Sequence, residues 1–477
     1  CCTPNRTSRW DFTMGKKNRP SSDSDKSTRP QKRSSSLQND TEPHKQNQIT
    51  SANDNKTDSS RCESQQQPTS NSPSALIKAR VKRATASSLK DLEDVQQMLK
   101  DILSSAEEGS EEWTDAGNFL ATLLLQIKVD SSSSCDESGT KTNNRHTVSQ
   151  LLDERGFSYH LSRKALTHSH DTVRNPPHIY ANAWDNALPS DLLQKLGEAF
   201  GPNSSFWTSH NYSDGSSGKP PSPYFSYVVP LQNEHENDDT AKANQSVLMQ
   251  IIRKIQQQIS INFPDVLNCT AAEWWSHCRP HCSGHQLHFD SDDEGRGGVR
   301  NPVASTVTYL SCDDTCVGGE TLVTSQSSVS KKLATKGWLC SNKRNRVLAF
   351  KGNLLHGVIP GAGAQSSHKE GKRVTFMVAF WKRIHVQDKE GFGSARPFSR
   401  VENEEWAKPL VEKMVSSPGS SANKGGEGGK RCENCFFEVP VWEDVDKEKN
   451  QEYGMAIQNV TRSRVLPPYD AFFQFFS

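Results

Sequence analysis

Four short runs, residues 303–310, 321–324, 346–350 and 373–381, are rich in Val, Thr and aromatic side chains, with glycines punctuating the intervals between them. Such runs predict strands, because β-branched and aromatic side chains suit a pleated, half-buried surface. Two helical segments precede them. Pro189-Ser190-Asp191 opens the first, which carries Leu192, Leu193, Leu196 and Phe200; in residues 246–260, Leu248, Ile251, Ile252, Ile255 and Ile259 recur at helical spacing. Helices first and strands afterwards predict an α+β fold on an antiparallel sandwich or barrel, with the second helix along the outside of a sheet.

The rest of the chain cannot all be core. Only 32% of its 477 residues are apolar and its mean hydropathy is −0.77. Even with the 29 glycines added, the apolar share stays below the roughly 45–50% of globular domains. One folded domain diluted by polar segments explains the deficit. Residues 179–390 are the expected domain. Residues 1–80 read as a disordered, polar and mildly basic tail, of which 1–13 precede a Met14-Gly15-Lys16-Lys17 that looks like a start. Arg19 stands where a myristoylation motif would want Ser or Thr.

Residues 85–130 read as a helical hairpin. Its first helix carries Leu89, Leu92, Val95, Met98, Leu99 and Leu103 behind Ser87 or Ser88; its second carries Trp113, Phe119, Leu120, Leu123, Leu124 and Ile127, with Gly109-Ser110 as break and cap. Residues 131–145 and 416–430 read as linkers, and 432–477 as a C-terminal segment with no assigned role.

Charge names no partner. With 57 Lys+Arg against 56 Asp+Glu, there is no global field to drive association with nucleic acid or a membrane surface. No apolar run approaches the roughly 20 residues that span a bilayer, and the start lacks the apolar stretch of a secretory leader. The expectation is a protein without a membrane partner, in cytoplasm or nucleus. Its 12 cysteines are then reduced thiols, and triplets such as Asn211-Tyr212-Ser213 are chance glycosylation patterns.

Chemistry enters with His288-Phe289-Asp290. In a strand, residues i and i+2 face the same side, so the imidazole and the carboxylate point together into one cavity. A lone His-x-Asp is weak, and the signal comes from its company further along the chain. His356, in Gly352-Asn353-Leu354-Leu355-His356-Gly357-Val358, lies 66 residues beyond Asp290, far enough for antiparallel strands to go out and return. Two imidazoles and one carboxylate on one face of iron(II) leave adjacent positions open, unlike a closed zinc site. Arg373 lies 17 residues past His356 and shares a strand face with Thr375. A guanidinium fork and a hydroxyl could hold the distal carboxylate of a keto acid chelated at its other end.

These residues resemble the iron(II)- and 2-oxoglutarate-dependent dioxygenases, most closely the prolyl-4-hydroxylase-like branch. The resemblance spans residues 180–384 and rests on His288-x-Asp290, Thr306-Val307-Thr308-Tyr309-Leu310 leading into Gly318-Gly319-Glu320-Thr321, His356-Gly357-Val358 and Arg373-x-Thr375. It implies a double-stranded β-helix, or jelly-roll, with flanking helices. It further implies iron(II) on His288, Asp290 and His356, and 2-oxoglutarate on Arg373 and Thr375, with dioxygen as the second cosubstrate and ascorbate as a reductant. The implied reaction couples conversion of 2-oxoglutarate to succinate and CO2 with hydroxylation of a protein side chain or small molecule. Arg373 stands where many prolyl hydroxylases carry lysine, and His281 or Cys282 occupies the neighbourhood of a common tyrosine. The competing function is a non-catalytic β-helix that uses its cavity and the hairpin for protein recognition.

Other groups read more simply. His281 and His285 stay outside the ligand set, and Asp292, Asp293 and Glu294 form a solvated acidic turn. Gly318 and Gly319 are a backbone device. Cys432 and Cys435 have zinc-ligand spacing without a second pair, while Cys278, Cys282, Cys312 and Cys316 are reduced thiols near the site.

Overall fold

Alternating apolar positions and capped helices build two sheets packed face to face, with helices on both outer surfaces. The computed structural model describes residues 74–446 and 466, apart from 87, 128–147, 213–224, 232–244, 281, 293–298, 312–317, 331, 362–371, 387–394 and 414–428. The expected tail up to residue 73, the 131–145 linker, nearly all of the 416–430 linker, most of the C-terminal segment, His281, Asp293, Glu294, Cys312 and Cys316 lie outside the described residues.

Nine described helices follow one another as α1 (Ala75–Thr85), α2 (Leu89–Ser105), α3 (Glu111–Gln126), α4 (Val148–Asp153), α5 (Arg163–Leu166), α6 (Ser190–Phe200), α7 (Ser205–Ser209), α8 (Val247–Ile259) and α9 (Lys408–Val411). Ser88 caps α2 in a reciprocal box with Asp91, and Ser110 caps α3 after Gly109 turns the chain at φ +82°. Helix α1 corrects one expectation: a helix, not tail, begins at Ala75, ahead of the two helices α2 and α3 that stand where the hairpin was expected. The reason lies in its arginines. Arg80 and Arg83, which look solvated in sequence, are buried; Arg80 pairs with Asp115 at 3.0 Å, and Arg83 donates to the Gly361 carbonyl at 2.7 Å. Among the described residues, no helix is long and apolar enough to cross a membrane.

The strands in chain order are β1 (Tyr159–Leu161), β2 (Ala181–Asp185), β3 (Tyr227–Pro230), β4 (Ala271–Pro280), β5 (His285–His288), β6 (Ala304–Tyr309), β7 (Thr321–Ser327), β8 (Lys336–Cys340), β9 (Val347–Lys351), β10 (Leu354–Val358), β11 (Lys372–Trp381), β12 (Arg396–Pro397), β13 (Lys430–Arg431), β14 (Phe436–Pro440) and β15 (Trp442–Asp444). The larger sheet runs β12-β3-β4-β11-β6-β9-β2-β13 and the smaller β14-β8-β7-β10-β5, while β1 pairs with β15. Strands β2 and β13 extend the larger sheet and β14 the smaller, so β14 of the C-terminal segment lies on a sheet edge while its β15 pairs with β1.

Period-two alternation sorts the side chains. On the larger sheet Trp274, Phe376, Val378 and Phe380 face outward into one core with α6 and α8, through Leu196, Phe200, Ile251 and Ile255. On the smaller sheet Leu322 and Leu339 face outward into a second core with α1 to α5, through Leu92, Leu99, Leu120 and Leu151. Burying one such side chain contributes roughly 1.5–3 kcal/mol. The inner faces are left for the alternate residues, and the site lies there.

Candidate metal centre

Strands β5 and β10 are antiparallel neighbours in the smaller sheet, and His288 stands directly opposite His356. Their ring centroids are 4.3 Å apart. Asp290 follows β5 and places Oδ1 3.5 Å from His288 Nε2 and 3.7 Å from His356 Nε2. One ligand atom from each of the three residues falls within 4.8 Å of the others.

The surroundings orient these atoms. His288 Nδ1 lies 2.9 Å from the Gln286 carbonyl and His356 Nδ1 2.9 Å from that of Leu354. A carbonyl only accepts, so each Nδ1 carries the proton and each Nε2 turns a lone pair toward Asp290. Ser305, from β6 in the facing sheet, donates to Asp290 Oδ2 at 2.5 Å, leaving Oδ1 toward the imidazoles.

Protonation follows from burial and neighbours. Burial opposes the Asp290 charge, but the His356 and His288 imidazoles and the Ser305 hydroxyl outweigh it and hold the carboxyl at about 2. Burial, reinforced by His288 and partly offset by Asp290, pushes His356 down to about 4. At neutral pH the site therefore presents an ionised carboxylate and a neutral His356, the forms that bind a metal.

Arg373 and Thr375 lie two apart on β11, so they share one face of that strand in the larger sheet. Arg373 is buried, and its guanidinium donates to the Ser283 carbonyl at 3.3 and 3.4 Å. Gly319 makes room for it: at φ +80°, a Cβ there would sit 2.0 Å from Arg373 Nη1. Gly319 thus has a use beyond its turn. Thr375 stands opposite His277 of β4 on one side and Tyr309 of β6 on the other, so these three side chains share the inner face. Tyr309 and Thr321 exchange a hydroxyl hydrogen bond of 2.7 Å across the two sheets.

Two inner-face residues were missed in sequence. His277 and Arg279 belong to β4, whose Trp-Trp-Ser-His-Cys-Arg-Pro run lacks the β-branched signature of a strand. Their i, i+2 spacing was the available signal. His285 extends the row of imidazoles, its ring 5.0 Å from those of both His277 and His288. Burial first, then neighbouring positive groups, holds both His277 and His285 neutral, well below the usual histidine value.

No family model matches the chain, and no curated protein matches it. Solved structures similar to part of it include a prolyl-4-hydroxylase from Pseudomonas putida, 13% identical over 43% of this chain and 92% of that one, with a TM-score of 0.25. AviO1 from Streptomyces viridochromogenes Tue57 is 13% identical over 43% and 90%, with a TM-score of 0.26. HygX from Streptomyces hygroscopicus, solved with nickel and 2-oxoglutarate bound, is 12% identical over 49% and 96%, with a TM-score of 0.24. Likenesses this slight leave function to be read from the residues of the site.

Proposed function

We propose that the chain is an iron(II)- and 2-oxoglutarate-dependent dioxygenase that hydroxylates a protein side chain or a small molecule, releasing succinate and CO2. One observation carries the reading: two Nε2 lone pairs and one ionised carboxylate oxygen converge from separate chain segments, with a buried guanidinium on the facing sheet. The donor set fits the metal, since three protein ligands of this type leave neighbouring positions for a cosubstrate and dioxygen. The strand order supports a double-stranded β-helix, with β4-β11-β6-β9 facing β8-β7-β10-β5.

In this reading His288, Asp290 and His356 hold the iron, which supplies oxidising chemistry when bound. Gln286 and Leu354 carbonyls keep the imidazoles in the ligating tautomer, and Ser305 orients the carboxylate. The Arg373 fork and the Thr375 hydroxyl bind the distal carboxylate of 2-oxoglutarate and so aim its keto-acid end at the metal.

Anaerobic addition of iron(II) and 2-oxoglutarate tests this. The expected result is a weak visible charge-transfer band, with turnover to succinate that Asp290→Ala abolishes and a raised 2-oxoglutarate KM in Arg373→Ala. Folded, metal-loaded protein without the band would instead be a non-catalytic binding module.

A further inference from the structure

Arg279 has no part in the proposed chemistry, yet it shares the inner face. It stands directly opposite Arg373 in the β4–β11 pairing, and directly opposed residues of an antiparallel pair project to the same side. Both heads reach the same turn: Arg373 donates to the Ser283 carbonyl, and Arg279 Nη1 donates to that of Gly284 at 3.5 Å. Arg279 is 5% exposed, and its Nε is buried without a hydrogen-bond partner. The Tyr212 hydroxyl is its other polar neighbour, and among the described residues no ion pair joins it to a carboxylate.

A guanidinium stays charged at any accessible pH, and burying one without an anion is costly. Like charges at opposed positions repel besides. A single carboxylate between the two reverses both effects, because its two oxygens offer about four lone-pair sites and accept a fork from each arginine. His277 adds a third polar group beside them: it faces Thr375, and its Nε2 is buried with no partner.

We propose that Arg279 is a second anchor for the distal carboxylate of a dicarboxylic 2-oxo acid, closing on it from the strand opposite Arg373. The inference rests on the cosubstrate reading and sharpens it, since a two-guanidinium cradle selects a dicarboxylate over a monocarboxylic keto acid.

Calorimetric titration of the manganese(II)-loaded protein with 2-oxoglutarate, and with 2-oxobutanoate, which keeps the chelating end but lacks the distal carboxylate, tests it. Arg279→Gln should raise the 2-oxoglutarate Kd roughly 10- to 100-fold and leave the 2-oxobutanoate Kd unchanged. Arg279→Lys, which keeps the charge and loses the fork, should fall between and serves if the glutamine variant does not fold. Tight wild-type binding with an unchanged Kd in folded variants overturns the inference alone, as does an effect confined to the KM of the hydroxylated substrate. Wild-type protein that binds neither acid overturns the cosubstrate reading and this inference with it.

Discussion

His288 and His356 occupy directly paired positions on β5 and β10, with ring centroids 4.3 Å apart and each Nδ1 held by a backbone carbonyl two residues earlier in its own chain segment. Each imidazole is thus oriented by its own strand, and only the carboxylate depends on the other sheet. The hydrogen bond from Ser305 to Asp290 makes that link.

Removing the link should loosen the site without dismantling it. Ser305→Ala is expected to weaken metal binding roughly 10- to 100-fold, as outer-shell changes do, while Asp290→Ala and His356→Ala lose stoichiometric binding. Competition against a chelator of known affinity measures the difference. Equal metal affinity in Ser305→Ala and wild type would remove Ser305 from any orienting role.

Gly319→Ala places a methyl group where Arg373 Nη1 now lies and asks a non-glycine residue to adopt φ +80°. The expected outcome is a raised 2-oxoglutarate KM with metal affinity unchanged, together with a loss of about 1–2 kcal/mol of stability. Steady-state succinate assays and denaturant unfolding check the two parts.

The buried pair of His168 and Glu320 gives stability a pH window. Burial alone would lower the His168 pKa, but the Glu320 charge outweighs it and the value rises. Burial alone would raise that of Glu320, yet His168, with His170, lowers it. The histidine's contribution is therefore full below about 6.5 and lost as pH climbs through its raised value; the glutamate's is present above about 4.3 and lost as pH falls through its lowered one. Glu320→Gln should cost about 3 kcal/mol near pH 5.5 and less at alkaline pH. A pH-independent difference in unfolding free energy would contradict this.

Arg83 joins α1 to two distant chain segments, at Cys282 and at Gly361. It donates to the carbonyls of Gly361 and Cys282 and to Gln126 Oε1, while Gln126 Nε2 donates to the Pro360 carbonyl at 2.6 Å. Cys282 precedes Ser283, the acceptor of Arg373. Arg83→Met should destabilise by about 2–4 kcal/mol through the orphaned acceptors and weaken 2-oxoglutarate binding, with metal binding retained. Thermal unfolding with parallel ligand titrations separates these effects.

Legibility in sequence followed local periodicity. Helices α2, α3, α6 and α8 and strands β6, β7, β9 and β11 carry their own apolar repeat, and each lies within a few residues of its expected place. Helix α1 and strand β4 escaped because their inward positions are arginines and histidines, whose burial depends on partners far along the chain: Arg83 on Gly361, Arg279 on the turn at Gly284. Strands β8 and β10, equal in length to β9, escaped because each carries a glycine inside its run, Gly337 and Gly357, which weakens a strand signal.

What the sequence determined by itself is which residues can share a face: His288 with Asp290 and Arg373 with Thr375, because side-chain direction in a strand alternates along the local backbone. What only the tertiary structure decided is which faces meet. Register between β5 and β10 set His356 against His288, register between β4 and β11 set Arg279 against Arg373, and the packing of one sheet on the other brought Ser305 to Asp290. Those pairings are nonlocal, fixed by the burial of whole sheets, and no residue type at either partner encodes them alone.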